Sequence, residues 1–178
     1  CYFVQTNYTQ AIAYYERCIE TGRADVDYAM FQKGFTLGLL DRPVEKVEVL
    51  NRLIAEIPQS NFVDDALFEI GRSYVVLNQP NQALAYYERI VSEHPNSTYA
   101  SKSLNQLGLV YYSEGDYNRA LGYYEQVATS YPGTPEGDNA LTSIKNIYVR
   151  NDNVDGYLAF VNSIGKDISL REQDSLSY

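Results

Sequence analysis

"QALAYYERIVSEHPNS" at residues 82–97 and "RALGYYEQVATSYPGT" at 119–134 are two copies of one pattern. The copies lie 37 residues apart, so Ala83 falls on Ala120, Tyr86 and Tyr87 on Tyr123 and Tyr124, Glu88 on Glu125, and Pro95 on Pro132. A further step of 37 towards the N-terminus reaches "KVEVLNRLIAEIPQS", where Leu50, Leu53, Glu56 and Pro58 take the places of Tyr87, Ile90, Glu93 and Pro95. An earlier echo, "QAIAYYERCIE" at 10–20, stands 72 residues before the 82–97 copy because the intervening loop is two residues shorter. The segments between copies repeat as well: Gly34, Gly71 and Gly108 are spaced by 37, and Leu37, Tyr74, Tyr111 and Tyr148 recur three residues after the corresponding positions. A period of about 20 to 50 residues indicates stacked repeats in place of a closed globule.

Residues 98–132 show what one period contains. Leu104, Leu107 and Tyr111 recur at steps of three and four, the spacing of an amphipathic helix, with Leu109 between the last two. Gly115 interrupts, Asp116 is placed to cap, and Tyr117, Ala120, Leu121, Tyr124, Val127 and Ala128 restart the helical pattern until Pro132 ends it. The Gly115 position holds Asp41, Asn78 or Asp152 in the other copies, residue types that tolerate the left-handed conformation at a helix end. Two residues later Pro43 and Pro80 stand where a second helix begins, a position whose amide has no intrahelical partner. Thr6, the counterpart before the first copy, departs from this turn rule. Each period is therefore expected to be an antiparallel helical hairpin, too small to bury its apolar face alone, and the chain an all-α solenoid of such hairpins.

These residues resemble the tetratricopeptide repeat, whose pattern W-x2-L-G-x2-Y, A-x3-F, P appears as Leu104, Leu107, Gly108, Tyr111, Ala120, Tyr124 and Pro132. The preceding copy reads Leu67, Ile70, Gly71, Tyr74, Ala83, Tyr87 and Pro95, with leucine in the tryptophan slot of both. The resemblance implies a right-handed superhelix. It covers residues 1–165 as a partial unit at 1–24 and units at about 25–60, 61–97, 98–134 and 135–165, leaving 166–178 as a linker or the start of a further repeat. The loop after the proline is three residues longer than in the usual repeat of about 34. Lys33 and Lys46 occupy an apolar slot and an alanine slot, so the 25–60 hairpin is expected to sit differently, and Lys145 replaces the glycine of the last unit.

Composition narrows the function. With 45% hydrophobic and 21% charged residues, the chain has no apolar run near the length of about 20 needed to span a bilayer, so membrane association is expected only through regions outside this sequence. A formal net charge of −9, with 14 Lys and Arg scattered among the helices, argues against nucleic-acid binding. Most of the 18 tyrosines fall in repeat slots, where they are expected to pack with the hydroxyl reaching solvent or a backbone carbonyl. Cys18 takes the slot of Leu53, Ile90 and Val127 and is expected to be a small buried hydrophobe. Mature bacterial lipoproteins begin with an acylated cysteine, but Tyr2 aligns with Tyr74 and Tyr111, which puts Cys1 inside the first helix of an incomplete unit and reads the chain as a piece of a longer array. Asp25, Asp27, Asp64 and Asp65 open helices, where the dipole favours negative charge. His94 is the lone histidine, beside a helix-ending proline; no catalytic residues, metal ligands, cofactor or small-molecule substrate are expected.

What remains is a surface for a protein or peptide partner. The resemblance implies that first helices line a concave face, and the matching slots hold Phe31, Phe35, Phe68, Arg72, Asn105, Leu109, Tyr112, Asn146 and Arg150. Phe31, Phe35 and Phe68 have an equal alternative, packing between adjacent first helices. The favoured expectation is a noncatalytic scaffold. The long-loop repeat, with "PNSTYA" joining units, is similar to arrays of Gram-negative cell-envelope proteins such as outer-membrane assembly lipoproteins, the periplasmic partner of the Tol–Pal system and large Bacteroidetes repeat proteins. That resemblance implies a periplasmic or outer-membrane-associated location. The alternatives are a cytoplasmic peptide-docking regulatory or chaperone-adaptor module, and an array serving an enzyme domain elsewhere in the same polypeptide. Tyr124→Ala is predicted to cost about 3 to 5 kcal/mol, as large core truncations do; a change below about 0.5 kcal/mol in urea unfolding would show the repeat register to be wrong.

Overall fold

The computed structural model describes residues 2–22 and 25–166, so Cys1 and nearly all of the 166–178 tail lie outside the described residues. The chain divides into two compact units, Cys1–Ser103 and Leu104–Tyr178. Nine helices and no strands are found among the described residues: α1 (Tyr2–Thr21), α2 (Val26–Leu39), α3 (Pro43–Glu56), α4 (Val63–Val76), α5 (Pro80–Glu93), α6 (Ala100–Ser113), α7 (Tyr117–Ser130), α8 (Pro135–Arg150) and α9 (Val154–Ser163). The fold is an all-α helical-repeat solenoid. Its helices keep the sequence period, since α2, α4 and α6 begin 37 residues apart and α3, α5, α7 and α9 do the same. α8 starts at Pro135, two residues ahead of register, where Thr134 caps it by accepting from the Gly137 amide at 3.1 Å.

The turns inside the hairpins form as their residues require. Asp41, Asn78, Gly115 and Asp152 all have positive φ, between 52° and 80°. In each, the next amide reaches back five residues, from Arg42 to the Leu37 carbonyl, Gln79 to Tyr74, Asp116 to Tyr111 and Asn153 to Tyr148, at 2.9 to 3.0 Å. That bond closes a Schellman-type end and satisfies carbonyls the helix leaves free. Pro43 and Pro80 open α3 and α5, and the Asp116 carboxylate accepts from the Arg119 amide at 3.0 Å to cap α7. Thr6 makes no such turn: α1 runs unbroken from Tyr2 to Thr21, so the expected incomplete hairpin is a single helix. A β-branched residue is poorly suited to the left-handed conformation that would end a helix there.

Within the first unit, α2 packs on α3 and α4 on α5 as hairpins, while α1 packs on α2 and α3 on α4. Gly71 faces Tyr87 so closely that a Cβ on Gly71 would lie 2.6 Å from Tyr87 Cε1. Tyr87 is fully buried, and beside it the Tyr74 and Tyr86 rings stack at 5.5 Å. The second unit repeats this arrangement: a Cβ on Gly108 would lie 2.6 Å from Tyr124 Cε1, and Tyr111 stacks on Tyr123 at 5.6 Å and 3°. In the α2–α3 hairpin the pair is Gly34 and Leu50. The Tyr87 hydroxyl reaches neither solvent nor a carbonyl; it is buried with no protein partner among the described residues.

The slots that depart from the repeat pattern are accommodated locally. The 25–60 hairpin has helix limits one period from those of its neighbour, and its two lysines are paired, Lys33 with Glu16 at 2.9 Å and Lys46 with Glu69. Cys18 is half-buried, not buried like Leu53, Ile90 and Val127; among the described helices α1 packs against α2. Glycines at two places in the second unit are predicted to respond oppositely to alanine. Gly108→Ala forces Tyr124 aside and is expected to cost about 1 to 3 kcal/mol. Gly122→Ala, on an exposed face of α7 with nothing within 4 Å of the new Cβ, is expected to stabilise by about 0.5 to 1 kcal/mol. Urea midpoints moving in opposite directions would establish both.

Candidate interaction surface

In the first unit the sequence-matched residues separate into two groups. Phe68 is 8% exposed, with its ring 4.8 Å from Tyr99 and 5.7 Å from Tyr87. Phe31 is half-buried and stacks on Phe62 at 5.2 Å and 16°. Both rings therefore fill the joint where the chain enters the next first helix. Phe35 and Arg72, one period apart on α2 and α4, are instead exposed and line a cleft of about 330 Å³ with Leu39, Lys46, Glu69 and Val76.

The cleft combines an apolar rim with a charged floor. Phe35, Leu39 and Val76 are 45%, 52% and 67% exposed. Lys46 reaches in from α3, its residue buried, and donates to one Glu69 oxygen while Arg72 Nη1 donates to the other at 3.0 Å. Lys46 stands where Ala83 and Ala120 stand in later repeats, and its added length is taken up by Gly38, which replaces Val75 and Tyr112. A Cβ on Gly38 would lie 3.2 Å from Lys46 Cδ and 3.3 Å from its Nζ. Glu69 uses both oxygens, whereas Lys46 and Arg72 together carry more N–H donors than those oxygens accept. The paired departures Lys46 and Gly38 were the sequence signal for this site.

In the second unit, Asn105 donates through Nδ2 to the Glu136 carbonyl at 3.0 Å, occupying the joint position of Phe31 and Phe68. Leu109 is 49% exposed and Asn146 is exposed. Tyr112 meets Tyr117 edge-on at 5.2 Å, and the Arg150 guanidinium lies 4.9 Å from the centre of that same ring. Tyr117 also lines an open hollow at the α6–α7 turn, with Gly115, Asp116, Arg119 and Asn151.

The acidic residues at helix starts do more than the sequence suggested. Asp27, Asp64 and Asp65 lie in first turns, but no side-chain cap is formed at α2 or α4. Their carboxylates accept from the following loop: Asp27 from Ser60 Oγ at 2.6 Å, Asp64 from Ser97 Oγ, and Asp65 from the Tyr99 hydroxyl at 2.7 Å. Burial raises both the Asp65 carboxyl and the Tyr99 phenol above their ordinary ranges. Asp27 with Ser60 and Asp64 with Ser97 recur at the repeat period, a regularity visible in the sequence once the pairing is known. Among the described residues no group of three or more His, Cys, Asp or Glu is placed to hold a metal ion, and no helix is long and apolar enough to cross a membrane.

Residues 65–97 and 101–134 each match a tetratricopeptide repeat family. Comparison with curated proteins finds no match. Among solved structures, the crystal structure of MamA is similar with a TM-score of 0.70 at 18% identity, covering 98% of this chain and 93% of that one. YrrB, titled a TPR protein with an unusual peptide-binding site, gives a TM-score of 0.64 at 20% identity over 90% of this chain and 78% of that one. The C-terminal part of a TPR repeat-containing protein from Cytophaga hutchinsonii gives 0.69 at 15% identity over 91% and 60%. These likenesses concern the fold.

Lys46→Met leaves Glu69 with one of its two cationic partners in a buried place and is expected to cost about 3 kcal/mol. Glu69→Gln in that background is expected to recover part of the loss, so that a double-mutant cycle by urea unfolding gives a coupling well above the few tenths typical of exposed pairs.

Proposed function

Because residues 65–97 and 101–134 are tetratricopeptide repeats, we propose that the chain is a noncatalytic protein-interaction scaffold whose first unit holds a peptide segment of a partner in the α2–α4 cleft. The observation that carries this reading is the combination inside that cleft. Exposed Phe35, Leu39 and Val76 surround the Lys46–Glu69–Arg72 set, a mixture of apolar anchor surface and fixed donors suited to a segment with a large apolar residue beside an acceptor group. The peptide-binding site named for YrrB supports a peptide as the form of ligand. The long loop joining units, similar to that of Gram-negative envelope arrays, supports a place in the cell envelope, periplasmic or outer-membrane-associated, as part of a larger protein. Tyr112, Leu109, Asn146 and Arg150 offer the second unit's contribution to partner contact.

A photo-cross-linking amino acid placed at Leu39, with a second placed at Gln126 on exposed α7, tests the reading in cells. A protein partner joined at Leu39, absent at Gln126 and lost with Arg72→Glu is the expected result. Equal labelling at both positions would make the array a spacer. Recovery of the protein in the cytoplasmic fraction would overturn the envelope assignment and leave the scaffold standing.

A further inference from the structure

Gly38 leaves a gap one side chain wide in the wall of the α2–α4 cleft. Its counterparts in the later repeats are Val75, Tyr112 and Val149, whereas a Cβ on Gly38 would stand 3.3 Å from Lys46 Nζ. Gly38 is exposed, yet the Lys46 side chain beneath it is only 9% exposed. The ammonium is thus a buried cation reached from outside across one bare stretch of backbone. Of its three N–H donors one goes to Glu69, and no other acceptor takes the rest among the described residues. The charges that line the cleft cancel, Lys46 and Arg72 against Asp41 and Glu69. Glu69 has both oxygens occupied, while the exposed Asp41 carboxylate accepts no hydrogen bond among the described residues. The cleft therefore holds spare donors and a spare acceptor with no net charge.

We propose that the Gly38 gap takes the side-chain amide of a glutamine or asparagine in the bound segment, beside the large apolar residue held by Phe35, Leu39 and Val76. The inference rests on the reading of the α2–α4 cleft as the peptide site. An amide answers both vacancies at once: its oxygen accepts from Lys46, and its NH2 donates to Asp41. A carboxylate in the same place would set its second oxygen against Asp41 and add a charge to a balanced set. An ammonium would have Asp41 alone to donate to, beside two cations. A main-chain carbonyl, held between its own flanking Cα atoms, does not reach through an opening one side chain wide. Gly38 and Asp41 are on this account the residues that set which segment the cleft accepts.

The probe is a pool of random nonapeptides, acetylated and amidated at their ends, passed over the immobilised full chain and sequenced after retention. Enrichment of Gln or Asn near Phe or Leu is expected. Fluorescence anisotropy then compares the most enriched peptide with its Gln→Glu or Asn→Asp version, which is expected to bind about tenfold more weakly. Asp41→Asn in the protein is expected to bring the two peptides to within about twofold of each other. That substitution has an internal precedent, since Asn78 holds the same turn position at the same φ of 55°. Gly38→Ala is expected to weaken the amide peptide about tenfold by crowding Lys46, with no fall in the urea midpoint because alanine favours the helix. Retention of no peptide, or retention that Arg72→Glu leaves unchanged, would overturn the cleft as a peptide site and this inference with it. A retained pool not enriched in Gln or Asn, or a preference for the amide that Asp41→Asn leaves unchanged, would overturn the inference alone.

Discussion

The absence of a single carbon atom organises the hairpins. At Gly71 and Gly108 a Cβ would stand 2.6 Å from a tyrosine ring, so the two helices of each hairpin approach to a distance set by an aromatic knob entering a glycine hole. Everything else on that interface follows the knob: the second tyrosine is brought into stacking, and the flanking alanine and branched residue are sealed from water. Packing outranks polarity here, since the Tyr87 hydroxyl is buried without a protein partner. Where the last hairpin has Lys145 in the glycine slot, the opposite slot holds Val161, a smaller buried residue, and no aromatic is asked to fit.

Joining one hairpin to the next is a separate problem with a separate solution. The three residues by which this repeat exceeds the usual length lie in the loop that places Ser60, Ser97 and Tyr99. These side chains donate to carboxylates at the start of the preceding first helix, and the aromatic residue of the loop packs on that helix one turn further along. The added loop length is thus the material of the inter-repeat clasp.

Much of this was legible because the determinants are local and recur. Helix limits, the left-handed Asp41, Asn78, Gly115 and Asp152, the proline starts and the Asp116 cap each depend on residues within one turn of one another. The cleft was less legible, since Lys46 and Glu69 are 23 residues apart and their meeting depends on how α3 lies against α4. Reading Lys46 as a defect of the pattern, without its complement Gly38, concealed the cleft. Phe31 and Phe35 look alike in sequence, yet one fills a joint and the other opens to solvent, because the loop aromatic Phe62 reaches only the first. At the start of the chain alignment carried the repeat further than the turn chemistry did, and Thr6, which departs from the turn rule, lies within the unbroken α1.

The joints also differ from one another in kind. Phe31 meets Phe62, Phe68 meets Tyr99, and Asn105 meets the backbone at Glu136. A chain of near-identical hairpins runs a kinetic hazard, because a hairpin can be captured by the wrong neighbour before the right one has folded. A pairing across kinds would press an aromatic ring against an amide, whereas Phe31 on Phe62 and Phe68 on Tyr99 are joints of one kind. The joint at Asn105 is thereby set apart from the two aromatic ones, a chemical distinction between repeats that share one architecture.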